Sequence, residues 1–147
     1  MARLGPEFQR CLERSRLVEI QPDRVLAEHE LASGRQDLEE AQASLGRGNF
    51  KWSTIQSYYA MFHAGRALIY LRGYREKSHL CLSVALRELY VRAGKMEAEL
   101  LSEFEDARAL REQADYRGSF SQSGAEESIR SAKGFLERAK ELIAESS

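Results

Sequence analysis

Apolar residues recur at helical spacing along most of this chain. Between Asn49 and Arg72 they lie three and four positions apart, which places them on one face of a helix: Ile55, Tyr58, Phe62, Gly65 and Ile69. A second stripe at the same spacing carries polar tips: Tyr59, His63, Arg66 and Tyr70. The pattern therefore predicts one long helix with an apolar face and a separate polar face.

Residues that begin and end helices divide the remaining chain. Both prolines, Pro6 and Pro22, lie in the first 22 residues, so after them no lost amide donor forbids a helix. The sequence predicts a short helix at 7–17 and then five main helices, at about 23–45, 49–72, 78–94, 96–114 and 123–142. Four of the main helices have capping signals at their starts: Asp23, Asn49, Ser78 and the capping box of Ser123 with Glu126.

These elements define an all-α fold class. No alternating run of apolar and polar residues between turn residues indicates a strand. We therefore predict an up-and-down bundle of about five helices. Residues 1–22 would form an N-terminal lead-in with the short helix, and residues 23–147 would form a single bundle domain. A chain of 147 residues can bury such a core without cross-links.

Composition restricts the class of partner. Hydrophobic residues make up 43% of the chain and charged residues 31%, which argues against disorder. The 22 basic and 23 acidic residues nearly cancel to a net charge of −1, whereas a dedicated binder of duplex DNA usually has a strong basic excess. A local basic patch is compatible with this balance.

Cysteine, histidine and hydropathy patterns indicate the compartment. Cys11 and Cys81 are far apart and neither belongs to a Cys-x-x-Cys pair, so we expect reduced thiols rather than a disulfide or a zinc site. The three histidines show no metal-binding spacing, and we expect neither a metal nor a cofactor. The start of the chain has no signal-peptide core and no apolar run reaches the roughly 18 residues of a membrane span. These features predict a cytoplasmic protein without a membrane partner.

The segment Arg72–His79 concentrates cationic and titratable side chains around a glycine. Arginine forks bind phosphate oxygens in pairs, and Ser78 begins a helix whose first amides attract anions. The candidate phosphate or RNA ligands are therefore Arg72, Arg75 and Lys77, with Tyr74 and the later Tyr116 as rings that could stack on bases. The alternative is a solvated turn whose arginines complement the end of the preceding helix.

Three motifs in this order carry a family resemblance. SYYAMFHAGRAL, GYREKSH and LREQADYRGSF closely resemble the HEPN domain family, and the resemblance spans about residues 11–142. It implies a small helical protein, commonly a homodimer with a shared cleft, that is often encoded beside a nucleotidyltransferase. Many members are ribonucleases or RNA-binding modules.

The resemblance also assigns candidate catalytic positions. Ribonuclease members carry an arginine and, with four to six residues between them, a histidine, and they cleave RNA without a metal. The matching place here has Arg111 but then Tyr116. A tyrosine has a reference pKa of about 10 and is rarely a base at neutral pH, so the standard pair is incomplete. One interpretation makes Asp115 the base in place of the histidine. The alternative makes it only a helical salt-bridge partner of Arg111. Arg72 and His79 form an alternative pair at the required spacing.

The polar stripe of the long helix supplies the interface candidates. A histidine within a helix is more often structural than catalytic, and His63 could meet a tyrosine hydroxyl in a dimer. The resemblance implies that helices of two subunits meet around the cleft. We therefore take Tyr59, His63 and Arg66 as candidate interface residues.

The sequence thus favours an RNA- or nucleotide-binding HEPN protein that acts with a nucleotidyltransferase partner in a toxin–antitoxin-like or defence setting. One alternative is an active metal-independent endoribonuclease toxin that uses Arg111 with Asp115 and Tyr116, or Arg72 with His79. A second alternative is a helical dimerisation partner that binds no ligand.

Overall fold

The computed structural model describes residues 4–146 and confirms the all-α fold class. Within that range the α-helices are α1 (Pro6–Glu13), α2 (Arg24–Gly46), α3 (Phe50–Leu71), α4 (His79–Leu86), α5 (Ala98–Tyr116) and α6 (Gln122–Glu145). A π-helical turn, Arg87–Val91, continues α4. Two strands of three residues, β1 (Leu17–Glu19) and β2 (Tyr74–Glu76), pair in antiparallel orientation.

Helix α3 is the centre of the bundle and packs against α2, α5 and α6. Its sequence is apolar on several sides, which is the pattern of a helix surrounded by others. Met61 and Leu68 from α3 are fully buried with Phe104 from α5 and Phe135 from α6. The bundle therefore presents α3 side chains to three neighbouring helices at once.

Most of the predicted helix starts are confirmed. The side chains of Asp23, Asn49 and Ser78 each accept a hydrogen bond from the backbone amide three residues later. The predicted capping box at Ser123 is wrong, because Ser121 caps α6 instead by accepting from the amide of Gly124. Since Ser121 precedes Ser123 by one half-turn, α6 begins slightly earlier than the sequence indicated.

The lead-in is packed against the bundle through a short ribbon that the sequence did not indicate. In that ribbon Leu17 pairs with Glu76, and Val18 with Arg75. The Phe8 ring from α1 is fully buried and meets the Tyr74 ring edge-on, with centroids 5.2 Å apart. The predicted short helix is therefore present but ends at Glu13, because the chain after it turns to form β1.

The two cysteines form a disulfide, so the expectation of reduced thiols is wrong. Cys11 on α1 is bonded to Cys81 on α4, with their Cα atoms 5.9 Å apart. Both side chains are buried. The bond joins segments 70 residues apart in sequence, and this proximity depends on packing that local patterns do not reveal.

Candidate functional site

Arg111 lies at the centre of a cluster of tyrosine rings on α5 and α3. Its guanidinium carbon lies 5.3 Å from the centroid of Tyr59 and 5.8 Å from that of Tyr58. Its Nη2 atom donates a hydrogen bond of 2.8 Å to the Tyr59 hydroxyl. The side chain is only 17% exposed. Such placement over aromatic faces stabilises a cation while leaving it near the surface.

Asp115 and Tyr116 complete this cluster one turn further along α5. An Asp115 oxygen lies 3.3 Å from Nη2 of Arg111, which is the helical ion pair expected at this spacing. The guanidinium carbon of Arg111 lies 5.3 Å from the centroid of the Tyr116 ring. Tyr116 itself is 72% exposed. We call Tyr58, Tyr59, Arg111, Asp115 and Tyr116 the Arg111 cluster.

One donor of Arg111 has no partner. Its Nε atom is buried and makes no hydrogen bond within residues 4–146. A buried unsatisfied donor is unfavourable, and donors of this kind are uncommon in folded proteins. Within the described residues this Nε–H group therefore stays unsatisfied, and its burial means that a ligand would reach it only if the side chain moved.

His79, the first residue of α4, joins the cluster through Tyr58. The Tyr58 hydroxyl lies 2.5 Å from Nδ1 and 2.8 Å from Nε2 of the imidazole. The ring also stacks against Phe62 and Phe104, with centroids 5.9 Å and 5.4 Å away. The sequence did not indicate this contact, because the two residues are 21 positions apart and belong to different helices.

The surroundings of His79 favour its neutral form. Burial, which has the largest effect, and the positive charges of Arg108 and Arg111 together lower its pKa to about 4. At neutral pH the imidazole therefore has one N–H group and one free nitrogen. It can exchange a hydrogen bond with Tyr58, but it is a much weaker base than a histidine with a pKa near 7.

The candidate phosphate ligands occupy the turn between α3 and α4, and their side chains differ in availability. The Arg72 guanidinium donates to the Leu89 carbonyl at 3.2 Å and lies over the Tyr90 ring. Tyr74 is half-buried against Phe8. Arg75 and Lys77 are exposed. The structure leaves those two cations accessible, while Arg72 is partly engaged in packing.

Arg72 and His79 are not brought together. Arg72 contacts the π-helical turn, whereas His79 packs between α3 and α5. No hydrogen bond links the two side chains in the described part of the chain. Arg111 and Arg108 are the cations whose charges act on His79.

The interface candidates divide between two environments. Tyr59 belongs to the Arg111 cluster, whereas His63 and Arg66, one and two turns further along the same face of α3, contact acidic residues. His63 lies 3.3 Å from Glu30 and 3.4 Å from Asp37. Arg66 bridges Glu30 at 3.3 Å and Glu76 at 3.2 Å, and donates to the Tyr70 hydroxyl as well. These contacts connect α2, α3 and β2 within one chain.

Burial changes the ionisation of the carboxylates in this network. It raises the pKa of Glu76, an effect that the nearby Arg66 opposes. It also raises the pKa of Asp37, and the adjacent His63 acts in the opposite direction. The network is thus a partly buried set of ion pairs whose charged forms depend on Arg66 and His63.

The described residues provide neither a cluster of metal ligands nor a helix that could span a membrane. No group of three or more His, Cys, Asp or Glu side chains within residues 4–146 is arranged to hold a metal ion. Among the helices that the structure describes, none has both the length and the apolar character required to cross a membrane.

The fold and the cluster define an all-α bundle protein with an arginine among tyrosines near the C-terminal end of α5. Residues 27–142 match the family model of the HEPN domain. UPF0332 protein glr0978 from Gloeobacter violaceus is 30% identical over 113 residues, which cover 75% of this chain and 90% of that protein. The chain belongs to the HEPN domain family, and this membership supports a nucleotide- or RNA-related function.

Proposed function

We propose that this protein binds RNA or a nucleotide and acts with a nucleotidyltransferase partner in a toxin–antitoxin-like or defence system. The observation that carries the binding proposal is the Arg111 cluster, in which a partly exposed cation lies beside an exposed aromatic ring. The partner enzyme is implied by the family resemblance. The residues of this chain do not themselves identify it.

The cluster is suited to binding because it combines two kinds of contact that nucleic acids need. Arg111 offers a guanidinium that can donate to a phosphate oxygen, and Tyr116 offers a ring on which a base can stack. Base stacking on an aromatic side chain contributes about 1–3 kcal/mol. The exposed Arg75 and Lys77 would add phosphate contacts along the neighbouring turn.

Cleavage is less favoured because the proton-transfer group of the family is absent from its usual position. Tyr116 occupies the place of the histidine, and Asp115 is engaged with Arg111. The single histidine near Arg111 in the described structure is His79, whose pKa of about 4 makes it a weak base. We therefore propose that the protein lacks the standard ribonuclease pair.

Metal-independent RNA cleavage is the second candidate function. The observation that favours it is that Tyr58 connects His79 to the Arg111 cluster, so a histidine and an arginine from distant segments share one region. In this mechanism Arg111 would stabilise the phosphate and the Tyr58–His79 pair would move the proton.

Incubation of the protein with mixed RNA in excess chelator distinguishes the two functions. Binding without cleavage is expected for the wild-type protein, with affinity that falls as salt rises. Arg111→Ala should weaken this binding, whereas Arg130→Ala, a change of an exposed arginine on α6, should not. Chelator-resistant cleavage that His79→Ala abolishes would establish the second function instead. Absence of any salt-dependent binding would leave only the role of a dimerisation partner.

We also propose that the protein is a homodimer whose interface includes Tyr59, His63 and Arg66. Sedimentation equilibrium tests this, because His63→Glu would place an additional acidic side chain beside Glu30 and Asp37 and should weaken association. A cytoplasmic location remains our proposal as well. Cytosolic disulfides are usually redox-active or transient, so the Cys11–Cys81 bond would be exposed to reduction there.

A further inference from the structure

A cavity of about 410 Å³ lies between the lead-in and the bundle, next to His79. Its walls contain four arginines and the disulfide: Arg10, Arg14, Arg16, Arg108 and Cys11–Cys81. We call this cavity the arginine groove. Its volume is in the usual range for small-molecule sites. Three of its arginines precede residue 27, so they lie outside the segment that matches the HEPN family.

Most of these arginines have no partner among the residues that the structure describes. Arg10, Arg14 and Arg16 are exposed and make no ion pair or side-chain hydrogen bond within residues 4–146. Arg108 pairs with Glu112 at 3.1 Å. Among the described residues, Glu7 is the one carboxylate that lines the groove. The groove is therefore strongly cationic, although the whole chain is nearly neutral.

The fold brings the arginines together from three segments. Arg10 and Arg14 flank Cys11, whose disulfide fixes this part of the chain to α4. The amide of Lys77 donates to the Arg16 carbonyl at 2.8 Å, which places Arg16 beside the start of α4. Arg108 approaches from α5. These constraints hold guanidinium groups of the same charge around one space, where among the described lining residues Glu7 alone is a carboxylate that can offset their repulsion.

The start of α4 adds backbone donors to the same space. Ser78 caps the helix by accepting from the amide of Cys81. His79 and Leu80 line the groove, and their amides make no hydrogen bond in the described structure. Unpaired amides at a helix start favour anions, and here they supplement the four arginines.

We propose that the arginine groove binds the di- or triphosphate group of a nucleotide or of an RNA 5′ end, without recognising the base. Several guanidinium groups around one cavity suit a ligand with adjacent phosphates better than an isolated phosphodiester. The groove offers no free aromatic surface for a base, because the His79 ring already stacks on Phe62 and Phe104. The base would therefore lie outside the groove.

The inference rests on the proposed function, because it identifies the part of the RNA or nucleotide that this surface recognises. His79 borders the groove and also contacts Tyr58 of the Arg111 cluster. An RNA whose 5′ phosphates fill the groove would thus have its following nucleotides, rather than its first base, close to that cluster. Groove and cluster would bind different parts of one ligand.

Titration calorimetry with tripolyphosphate, ATP and adenosine tests the inference. Tripolyphosphate and ATP should bind with similar affinity, and adenosine should not bind. The variant Arg10→Gln with Arg14→Gln should lose about a hundredfold in affinity for tripolyphosphate, about tenfold for each charge-assisted contact. The matched control Arg130→Gln should bind as the wild type does. Equal affinity in the groove variant and the wild type would overturn the inference.

Two RNAs of the same sequence show whether the phosphates belong to an RNA 5′ end or to a free nucleotide. They also distinguish failure of the groove proposal from failure of the proposed function. An RNA with a 5′-triphosphate should bind more tightly than the same RNA with a 5′-hydroxyl, and the groove variant should abolish the difference. If both RNAs bind equally and only Arg111→Ala weakens them, the groove proposal fails while the proposed function stands. If neither RNAs nor nucleotides bind, both proposals fail. Binding of ATP alone would identify a free nucleotide as the ligand.

Discussion

The hydroxyl of Tyr58 on α3 lies 2.5 Å from Nδ1 and 2.8 Å from Nε2 of His79 on α4. This contact joins the central helix to the segment that forms both the arginine groove and the turn after α3. Because His79 also packs between two phenylalanine rings, its protonation would put a charge into a largely apolar environment. The stability of the packing between α3 and α4 thus depends on whether His79 is protonated.

This linkage predicts a pH dependence of stability. His79 has a pKa of about 4 in the folded protein against 6.5 as the reference value, so the unfolded chain binds more protons between these values. The free energy of unfolding should therefore fall as the pH is lowered from about 6.5 to about 4. We expect a loss of about 1–2 kcal/mol from this group, less than the full shift implies because water still reaches part of the ring.

Urea unfolding at several pH values measures this effect. His79→Gln should flatten the stability curve between pH 4 and pH 6.5 relative to the wild type. The same substitution at the exposed His29 provides the matched control. If the two variants show the same pH dependence, His79 is not the group responsible.

The hydrogen bond between Arg111 and Tyr59 should contribute measurably to stability. Hydrogen bonds to charged groups contribute about 1.5–3 kcal/mol, so Arg111→Ala should lower the free energy of unfolding by about that amount. Tyr59→Phe removes the accepting hydroxyl alone. In a double-mutant cycle the two changes should show a coupling of about 1–2 kcal/mol. The control Tyr116→Phe keeps its ring over Arg111, so it should show no coupling with Arg111→Ala. Additive effects of Arg111→Ala and Tyr59→Phe would contradict the observed contact.

Local sequence predicted the helices better than it predicted the contacts among functional residues. Asp23, Asn49 and Ser78 cap helices through the next few residues of the same segment, so their roles can be read from the sequence. The ribbon, the disulfide and the Tyr58–His79 contact each join segments that are far apart. Such contacts depend on how the helices pack around α3, and the spacing of apolar residues along the chain does not predict them.

In the candidate site, too, contacts within one helix were predictable from the sequence and contacts between distant segments were not. Arg111, Asp115 and Tyr116 share one helix, and their proximity follows from spacing alone. The arginine groove, by contrast, combines residues from α1, the turn that follows it, α4 and α5. Three arginines within seven residues, at positions 10–16, were the one signal in the sequence that could have indicated it. That signal is weak, because exposed arginines are common on helical surfaces.

The disulfide should contribute strongly to stability. It closes a loop of 70 residues, and loop-closure entropy gives an upper value of about 4 kcal/mol for a loop of that size. Dithiothreitol should therefore lower the melting temperature of the wild type by about 10 °C. The variant Cys11→Ser with Cys81→Ser should already melt at the lower temperature and should not respond to the reductant. A wild type that does not respond would show that the thiols are not paired.

Gly34 tests how closely α2 approaches α3. A Cβ atom at this position would lie 2.8 Å from the Ala60 carbonyl oxygen, and backbone cannot move aside as a side chain can. Gly34→Ala should therefore lower the free energy of unfolding by about 1–3 kcal/mol. Gly46 at the end of the same helix has open space around it, so Gly46→Ala should be neutral or slightly stabilising. Chemical denaturation of both variants measures the difference, and equal stabilities would mean that the helices are less closely packed.

Tyr116→His tests whether one residue separates this protein from the ribonucleases of its family. The change places a histidine five positions after Arg111, with four residues between them, where the side chain is largely exposed. An exposed histidine has a pKa of about 6.5, so it can both accept and donate a proton at neutral pH. We expect this variant to cleave RNA in excess chelator, and we expect the wild type and Tyr116→Phe not to do so. Addition of Arg111→Ala to Tyr116→His should abolish the cleavage, because the phosphate would lose its guanidinium. If Tyr116→His binds RNA but does not cut it, the missing histidine alone does not explain the absence of cleavage, and the neutral Tyr58–His79 pair becomes the next position to change.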